Sequence, residues 1–290
     1  MNMESPPSAS AATAAAIEPS VDRRATIAPR GRHKPWVRET ALVIAFYYVY
    51  QTIRSLSDQG VTNRAYSNAR HLVDWEKALR IFHEQAMQEA LLASHLFIKV
   101  MNVVYGTLHF VITAGLLIWL YRRRHTAYRH MRNLLGLTTM LALIGYWAFP
   151  LAPPRLYKCN NDIPVPGPDG YAIGKCFTDT LDTVGGLWSY HSPVAKAVAN
   201  QYAAMPSLHF AWSLWCAVVL YRYGTHRWTR IAGLAYSLLT LSAIVITGNH
   251  YFLDALGGVI IFVAAAGILR WRKTRSSRRI VDPVNTAPAI

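Results

Sequence analysis

Six stretches of this chain are long and apolar enough to cross a lipid bilayer, and they constrain its fold more than any other feature. A spanning helix needs about 20 mostly apolar residues, and 52% of the 290 residues are hydrophobic. The sequence therefore predicts an all-α polytopic membrane protein with six transmembrane helices in one bundle. The predicted spans are 37–53, 96–120, 133–152, 205–221, 229–248 and 250–269.

The position of the basic residues predicts the orientation of these spans. Lys and Arg cluster in four segments, whereas segments 54–95 and 153–200 carry equal numbers of basic and acidic residues. Alternate connections are thus strongly basic, which places both termini in the cytoplasm and the two balanced segments outside. The basic clusters are 23–38, 122–132, 222–230 and 270–279.

The net charge of +15 also raises the question of nucleic acid as a partner. The clusters lack the interleaved aromatic residues of a nucleic-acid groove. Membrane topology and contact with anionic lipids account for the charge, so we expect no nucleic-acid partner.

The spans lie in a membrane domain, 36–270, between a disordered basic tail, 1–35, and a second basic tail, 271–290. Within this domain, 69–92 has apolar residues at helical spacing and predicts an amphipathic helix along the outer membrane surface. Its apolar positions are Leu72, Trp75, Leu79, Phe82 and Ala86.

The outer loop, 153–200, begins with a segment dense in Pro, Gly, Asn and Asp, which favours turns. It contains Cys159 and Cys176. A disulfide would persist on this side of the membrane, and the alternative is two free thiols.

A polar stripe runs along the second predicted span. Asn102, Tyr105 and His109 recur at positions i, i+3 and i+7 of an otherwise apolar helix. Such a stripe is expected to face the bundle interior or a cavity rather than lipid. Two interpretations stay open: the stripe lines a substrate cavity, or it only bonds a neighbouring helix.

Four further polar residues reach one edge of the membrane in the predicted topology. Arg155 follows the third span, His209 begins the fourth and His250 follows the fifth. Asp254 lies four residues after His250, on the same face of a helix. A carboxylate bonded to one imidazole nitrogen fixes the tautomer and raises the basicity of the other nitrogen.

This set of side chains suits phosphoester chemistry. His250 would be the nucleophile or base, His209 would protonate a leaving group, and the guanidinium of Arg155 would bind phosphate oxygens. Two alternatives are a zinc site formed by His209, His250 and Asp254, and a purely structural clamp between His250 and Asp254. We expect neither a metal nor another cofactor.

Two motifs carry a resemblance to a known family. PSLH (206–209) resembles the PSxH motif of the type 2 phosphatidic acid phosphatase superfamily, and HYFLD (250–254) resembles its HxxxD motif. The HYFLD spelling and APPR (152–155) most resemble the inositol phosphorylceramide synthase branch, which transfers head groups between lipids. The resemblance covers about 96–270.

The resemblance implies a role for each motif residue. His250 would attack phosphorus and become a phosphohistidine, Asp254 would orient it, and His209 would protonate the departing alcohol. Ser207 and nearby backbone amides would help to hold the phosphate.

Two family features are missing from this chain. Hydrolase members have a phosphate-binding Arg shortly before the second His, but 242–249 reads SAIVITGN. The family's early Lys and Arg-Pro motif is also not spelled out, and Arg155 is the candidate substitute. These departures favour a lipid phosphotransferase over a phosphatase.

The function implied is transfer of a phosphate or phospho-head group, phosphoinositol included, at the extracytoplasmic face. The substrate would be a phospholipid or other lipid phosphoester, and the acceptor a lipid or an alcohol. With water as acceptor, the same site would make a lipid phosphate or pyrophosphate phosphatase. A non-enzymatic lipid-binding or transport protein is the alternative of another class. The Ala- and Arg-rich tail favours the plasma membrane of a bacterium.

Overall fold

The computed structural model describes only part of the chain. The described residues are 61–160, 163–173, 176–187 and 201–281, with scattered positions between 37 and 52. The predicted tail 1–35 lies outside them.

Two compact units divide the chain. In the unit Met1–Phe46, the few described positions are helical. The unit Tyr47–Ile290 contains every element described below. The predicted first span, 37–53, is described only at scattered positions, which are helical.

The described part of Tyr47–Ile290 is mainly helical, with one small hairpin in the outer loop. A π-helical segment, Val104–Leu108, joins α3 to α4, and a 3₁₀ turn, Pro154–Leu156, follows α5. The hairpin consists of β1 (Cys159–Asn160) and β2 (Ile163–Pro164). The α-helices are α1 (Thr62–Ala78), α2 (Glu84–Leu92), α3 (His95–Val103), α4 (His109–Arg123), α5 (His125–Ala148), α6 (Thr180–Thr183), α7 (Leu208–Tyr223), α8 (Arg227–Ile246) and α9 (Phe252–Val281).

Three described helical stretches are long and apolar enough to span a membrane, as in an integral membrane protein. They are His95–Arg123, Arg227–Ile246 and Phe252–Arg275. They correspond to three of the six predicted spans, 96–120, 229–248 and 250–269.

Two other predicted spans, 133–152 and 205–221, form the helices α5 and α7, which do not reach this standard. Helix α7 has 16 residues, or about 24 Å at 1.5 Å per residue, which is less than the hydrocarbon core of about 30 Å. Every 18-residue window of α5 contains Arg132 and Asn133, which lower its hydropathy.

The predicted amphipathic helix 69–92 is two helices, α1 and α2. The first helix ends before Arg80, which adopts a left-handed backbone with φ of 57°. The buried face of α1 includes Leu72, but Trp75 and Leu79 are 54% and 62% exposed. Glu76 is fully buried instead.

Helix α7 lies at the centre of the bundle and packs against α4, α5, α8 and α9. Its Trp215, Cys216 and Val219 are fully buried in the core between these helices. The indole of Trp215 donates a hydrogen bond of 2.8 Å to the carbonyl of Met131 on α5. This packing fixes the start of α7, where the PSLH motif lies.

The last helix is longer than predicted. Helix α9 continues to Val281, so the predicted basic tail 271–290 begins inside it. Residues 282–290 lie outside the described part of the chain.

Candidate active site

The loop between α8 and α9 carries His250 and ends in a tight helix cap. Gly248 has a φ of 68°, a conformation that glycine adopts without steric cost. The amide of Gly248 donates to the carbonyl of Val245, and the amides of Asn249 and His250 donate to the carbonyl of Ile244. The side chain of His250 therefore leaves the end of α8 in a fixed direction.

Asp254 is fully buried in the first turn of α9. Its Oδ2 lies 3.2 Å from Nδ1 of His250 and accepts a hydrogen bond of 2.9 Å from the amide of Tyr251. An ionised Asp254 carboxylate can only accept, which requires the proton of His250 on Nδ1 and its lone pair on Nε2.

His209 faces that lone pair from the first turn of α7. The distance from its Nδ1 to Nε2 of His250 is 3.4 Å. Ser207 caps α7, because its Oγ accepts from the amide of Phe210. The structure thus brings the predicted residues His209, His250 and Asp254 into one chain of polar contacts.

A backbone contact also joins the two motifs. The amide of Ser207 donates a hydrogen bond of 2.8 Å to the carbonyl of Asp254. Helix α9 can come this close because Gly258 has no side chain: a Cβ there would lie 2.5 Å from the carbonyl oxygen of Ser207. The neighbouring Gly257 permits the same approach to Pro206, because an added Cβ there would lie 3.2 Å from Cβ of Pro206.

We expect Gly258→Ala to separate the two motifs. A methyl group at this position must push α9 away from the start of α7, which costs about 1–3 kcal/mol of stability by overpacking. Because the His209–His250 contact spans the same gap, activity should fall by about 10²-fold. Gly267→Ala on the same helix is the matched control, since nothing lies within 4 Å of its added Cβ. Equal activity and melting temperature in the two variants would contradict this account.

The predicted polar stripe has two separate positions in the structure. Tyr105 lies in the π-helical segment and stacks on His209 at a ring-centroid distance of 4.3 Å, and His109 lies 4.2 Å from His209. Nδ1 of the buried His109 has no hydrogen-bond partner among the described residues. Single π-helical turns are frequent at functional sites, and this one places both rings against His209.

Asn102 has a different position. Its amide donates to the carbonyls of Thr180 and Gly185, at 2.8 and 2.7 Å, and its Oδ1 accepts from the hydroxyl of Thr180. It therefore joins α3 to the outer loop, and both polar atoms of its side chain are hydrogen-bonded there.

Arg155 lies beside the loop that carries His250. Its amide donates a hydrogen bond of 2.7 Å to the carbonyl of Gly248, and its guanidinium lies 3.2 Å from Oδ2 of Asp179. Its buried Nε has no hydrogen-bond partner among the described residues. Asp179, which also caps α6, holds Arg155 in place and was not among the predicted residues.

The described residues after Arg155 are tied to one another and to α1. A disulfide joins Cys159, the first residue of β1, to Cys176. The amide of Phe177 donates to the carbonyl of Tyr157, and the hydroxyl of Tyr157 donates to the carbonyl of Tyr66 on α1. These contacts fix the segment that follows Arg155.

Gln88 on α2 is a second residue that sequence reasoning missed. Its Nε2 donates to the carbonyls of Ile246 and Thr178, at 3.0 and 3.1 Å, and its Oε1 accepts from the amide of Thr178. It thereby joins the end of α8 to the outer loop. Its only signal in the sequence is a polar position within the helical pattern of 69–92.

The arrangement of the side chains does not favour a metal site. Within the described ranges, no group of three His, Cys, Asp or Glu residues is arranged to hold a metal ion. Oδ2 of Asp254 already contacts His250 and the amide of Tyr251.

Comparison with known proteins gives one family. The sequence model of the PAP2 superfamily matches residues 70–268, more than half of the chain. No curated protein and no solved structure matches significantly.

Proposed function

The chain belongs to the PAP2 superfamily, whose members are generally phosphatases or phosphotransferases, and we propose that it is a membrane-embedded lipid phosphotransferase with a phosphohistidine intermediate. One observation carries the proposal. Nδ1 of the His250 imidazole bonds to Asp254, and its Nε2 faces the second histidine, His209.

In the first step of the proposed reaction, the lone pair on Nε2 of His250 attacks phosphorus of the lipid phosphoester. The bond from phosphorus to the leaving oxygen breaks, and His209 donates a proton to that oxygen. Asp254 stabilises the imidazole as it gains positive character. The products are a phosphohistidine and a free alcohol.

In the second step, His209 removes the proton from an acceptor hydroxyl, whose oxygen attacks the same phosphorus. The bond from phosphorus to nitrogen breaks, and His250 regains its lone pair. His209 is protonated again for the next cycle, so neither a cofactor nor a metal enters the balance. A lipid or alcohol acceptor gives transfer, and water gives hydrolysis.

Arg155 is our candidate for binding the phosphate oxygens in place of the arginine that hydrolase members carry. A Cβ at Gly248 would lie 3.0 Å from Nε2 of Gln88 and 3.5 Å from the amide of Arg155. Arg155 and Gln88 thus occupy the space beside the loop of the HxxxD motif. The Nε proton of Arg155, unpartnered among the described residues, is available to an anion. Ser207 contributes through the amides at the start of α7.

We further propose that the donor is a phosphodiester lipid of the kind used by the inositol phosphorylceramide synthase branch, phosphoinositol head groups included. The HYFLD and APPR sequences support this assignment. The basic clusters at the alternate connections support cytoplasmic termini and an extracytoplasmic site.

The test is to incubate purified protein with labelled phospholipids, with and without acceptor alcohols. We expect the label to move to the acceptor, at rates that depend on its concentration and without added metal. Release of the phosphorylated head group or of phosphate at the same rate without acceptor would assign a phosphatase. Activity that EDTA abolishes and only zinc restores would replace the phosphohistidine route with a metal site at His209, His250 and Asp254.

A further inference from the structure

Two glutamates from α1 and α2 hold the backbone between His250 and Asp254. Oε1 of Glu76 accepts a hydrogen bond of 2.8 Å from the amide of Leu253, and Oε1 of Glu84 accepts one of 3.0 Å from the amide of Phe252. Both side chains are fully buried. These amides belong to the first turn of α9, which has no intrahelical acceptor for them.

The second carboxyl oxygen of each glutamate lacks a partner: Oε2 of Glu76 and Oε2 of Glu84 have no hydrogen-bond partner among the described residues. Burial and the neighbouring Glu84 both raise the pKa of Glu76. A proton on one of the two carboxyls would lower the cost of burying the pair.

We propose that Glu76 and Glu84 are positioning residues for the nucleophilic histidine, an inference that rests on the proposed phosphotransfer function. Between them they fix the amides of Phe252 and Leu253, and Asp254 fixes the amide of Tyr251. The turn that sets the 3.2 Å contact of His250 with Asp254 is thus held at three successive residues.

The chemistry explains why this positioning matters. Misplacement of a reacting group by about 1 Å costs about 10²-fold in rate. The His250–Asp254 contact depends on the direction in which the chain enters α9, and nothing in the i, i+4 spacing by itself sets that direction. Glu76 and Glu84 come from helices outside the two motifs and supply it.

The raised pKa of Glu76 gives a pH dependence whose sign can be worked out. Burial, followed by the neighbouring Glu84, raises the pKa of Glu76 to about 10. The titratable groups that face Glu76 are Glu84 on α2, Tyr251 in the loop and Asp254 on α9. An acid whose pKa is higher in the folded state favours folding most below its unfolded value of 4.5, and this contribution declines as pH rises to about 10. Above that pH two like charges repel each other under the turn.

Three variants test the proposal: Glu76→Ala, Glu76→Gln and, as a control, Glu89→Ala on the exposed face of α2. Glu76→Ala removes the acceptor for Leu253, so kcat should fall by about 10²-fold with KM nearly unchanged. Glu76→Gln can accept from Leu253 and donate to Glu84 but cannot ionise. It should restore most of kcat and lose less activity than the wild type between pH 8 and about 10.

The outcomes separate a positioning role from a structural one. Unchanged kcat in Glu76→Ala, or a Glu76→Gln variant as defective as Glu76→Ala, would overturn the proposal. So would a loss of activity that follows the loss of folded protein, measured by thermal melting. Glu89→Ala should match the wild type in every assay.

A readout without substrate separates this inference from the proposed function. The rate of carbethoxylation of the buried His250, followed by mass spectrometry, should rise by about 10-fold in Glu76→Ala as the turn opens, and return toward the wild-type rate in Glu76→Gln. If no phosphoester is turned over but the rates change in this way, the phosphotransfer proposal fails and the positioning role of Glu76 and Glu84 is supported. Equal rates in all variants would rule out that positioning role even if the enzyme is active.

Discussion

Substitution of His250 by alanine is expected to abolish phosphotransfer, with kcat reduced by at least about 10⁴-fold. The reason is that the variant loses the atom that forms the covalent intermediate, and removal of a covalent nucleophile costs about as much as removal of the whole catalytic set. No neighbouring side chain can replace it, because Nε2 of His250 is the nitrogen that Asp254 leaves unprotonated and that faces His209.

The measurement combines rate with labelling. The wild-type protein incubated with a donor lipid labelled at phosphorus should carry an acid-labile, base-stable phosphate, and His250→Ala should carry none. His71→Ala, in an exposed position on α1, is the matched control and should label normally.

Two results would contradict the prediction in different ways. If His250→Ala keeps its phosphotransfer activity, His250 is not the nucleophile and its pair with Asp254 is a structural clamp. If activity is lost but the label on the wild-type protein lies elsewhere, His250 acts as a base and the phosphohistidine route is wrong.

The second large effect is expected for His209→Asn, and its size should depend on the leaving group. General acid catalysis contributes about 10²- to 10⁴-fold, so release of a lipid alcohol should slow by that factor. A nitrophenyl leaving group departs without protonation, and the same variant should then lose less than about 10-fold in the first step. The contrast isolates proton donation from the contribution that His209 makes by stacking against Tyr105.

The comparison needs the burst of nitrophenol rather than the steady state, since His209 also serves as base in the second step. An equal loss with both leaving groups would show that His209 acts through packing. Tyr105→Phe keeps an aromatic ring at this position and serves as the control for stacking, with little change expected for either substrate.

The partnership of His250 with Asp254 was predictable because it is local. The prediction placed both side chains on one helical face and required a partner for a carboxylate in an apolar span. In the structure His250 precedes α9, which begins at Phe252, and the contact forms across the loop and the first helical turn. The relation of His209 to this pair was predictable only through topology: the charge pattern places the start of one span and the end of the next at one membrane edge. The family match over 70–268 includes both motifs, PSLH and HYFLD.

The residues around the motifs were not predictable in the same way. Glu76, Glu84 and Asp179 come from segments with balanced charge, where acidic side chains look like a solvated surface. Their burial depends on which helices and loops pack against the site, and no local sequence pattern encodes this packing. The apolar pattern of 69–92 predicted one surface helix, whereas the break at Arg80 gives two helices, and Glu76 and Glu84 on them contact the start of α9.

The sequence by itself determined a membrane-embedded helical chain, the order of its two motifs and the His250–Asp254 pair. All of these follow from hydropathy, charge and spacing along one segment. The tertiary structure alone decided the 3.4 Å approach of His209 to His250, the contact of Ser207 with Asp254 that Gly258 permits, and the two glutamates beneath the turn. The physical reason is that a distance between helices depends on the side chains that pack between them, and those come from parts of the chain far apart in sequence.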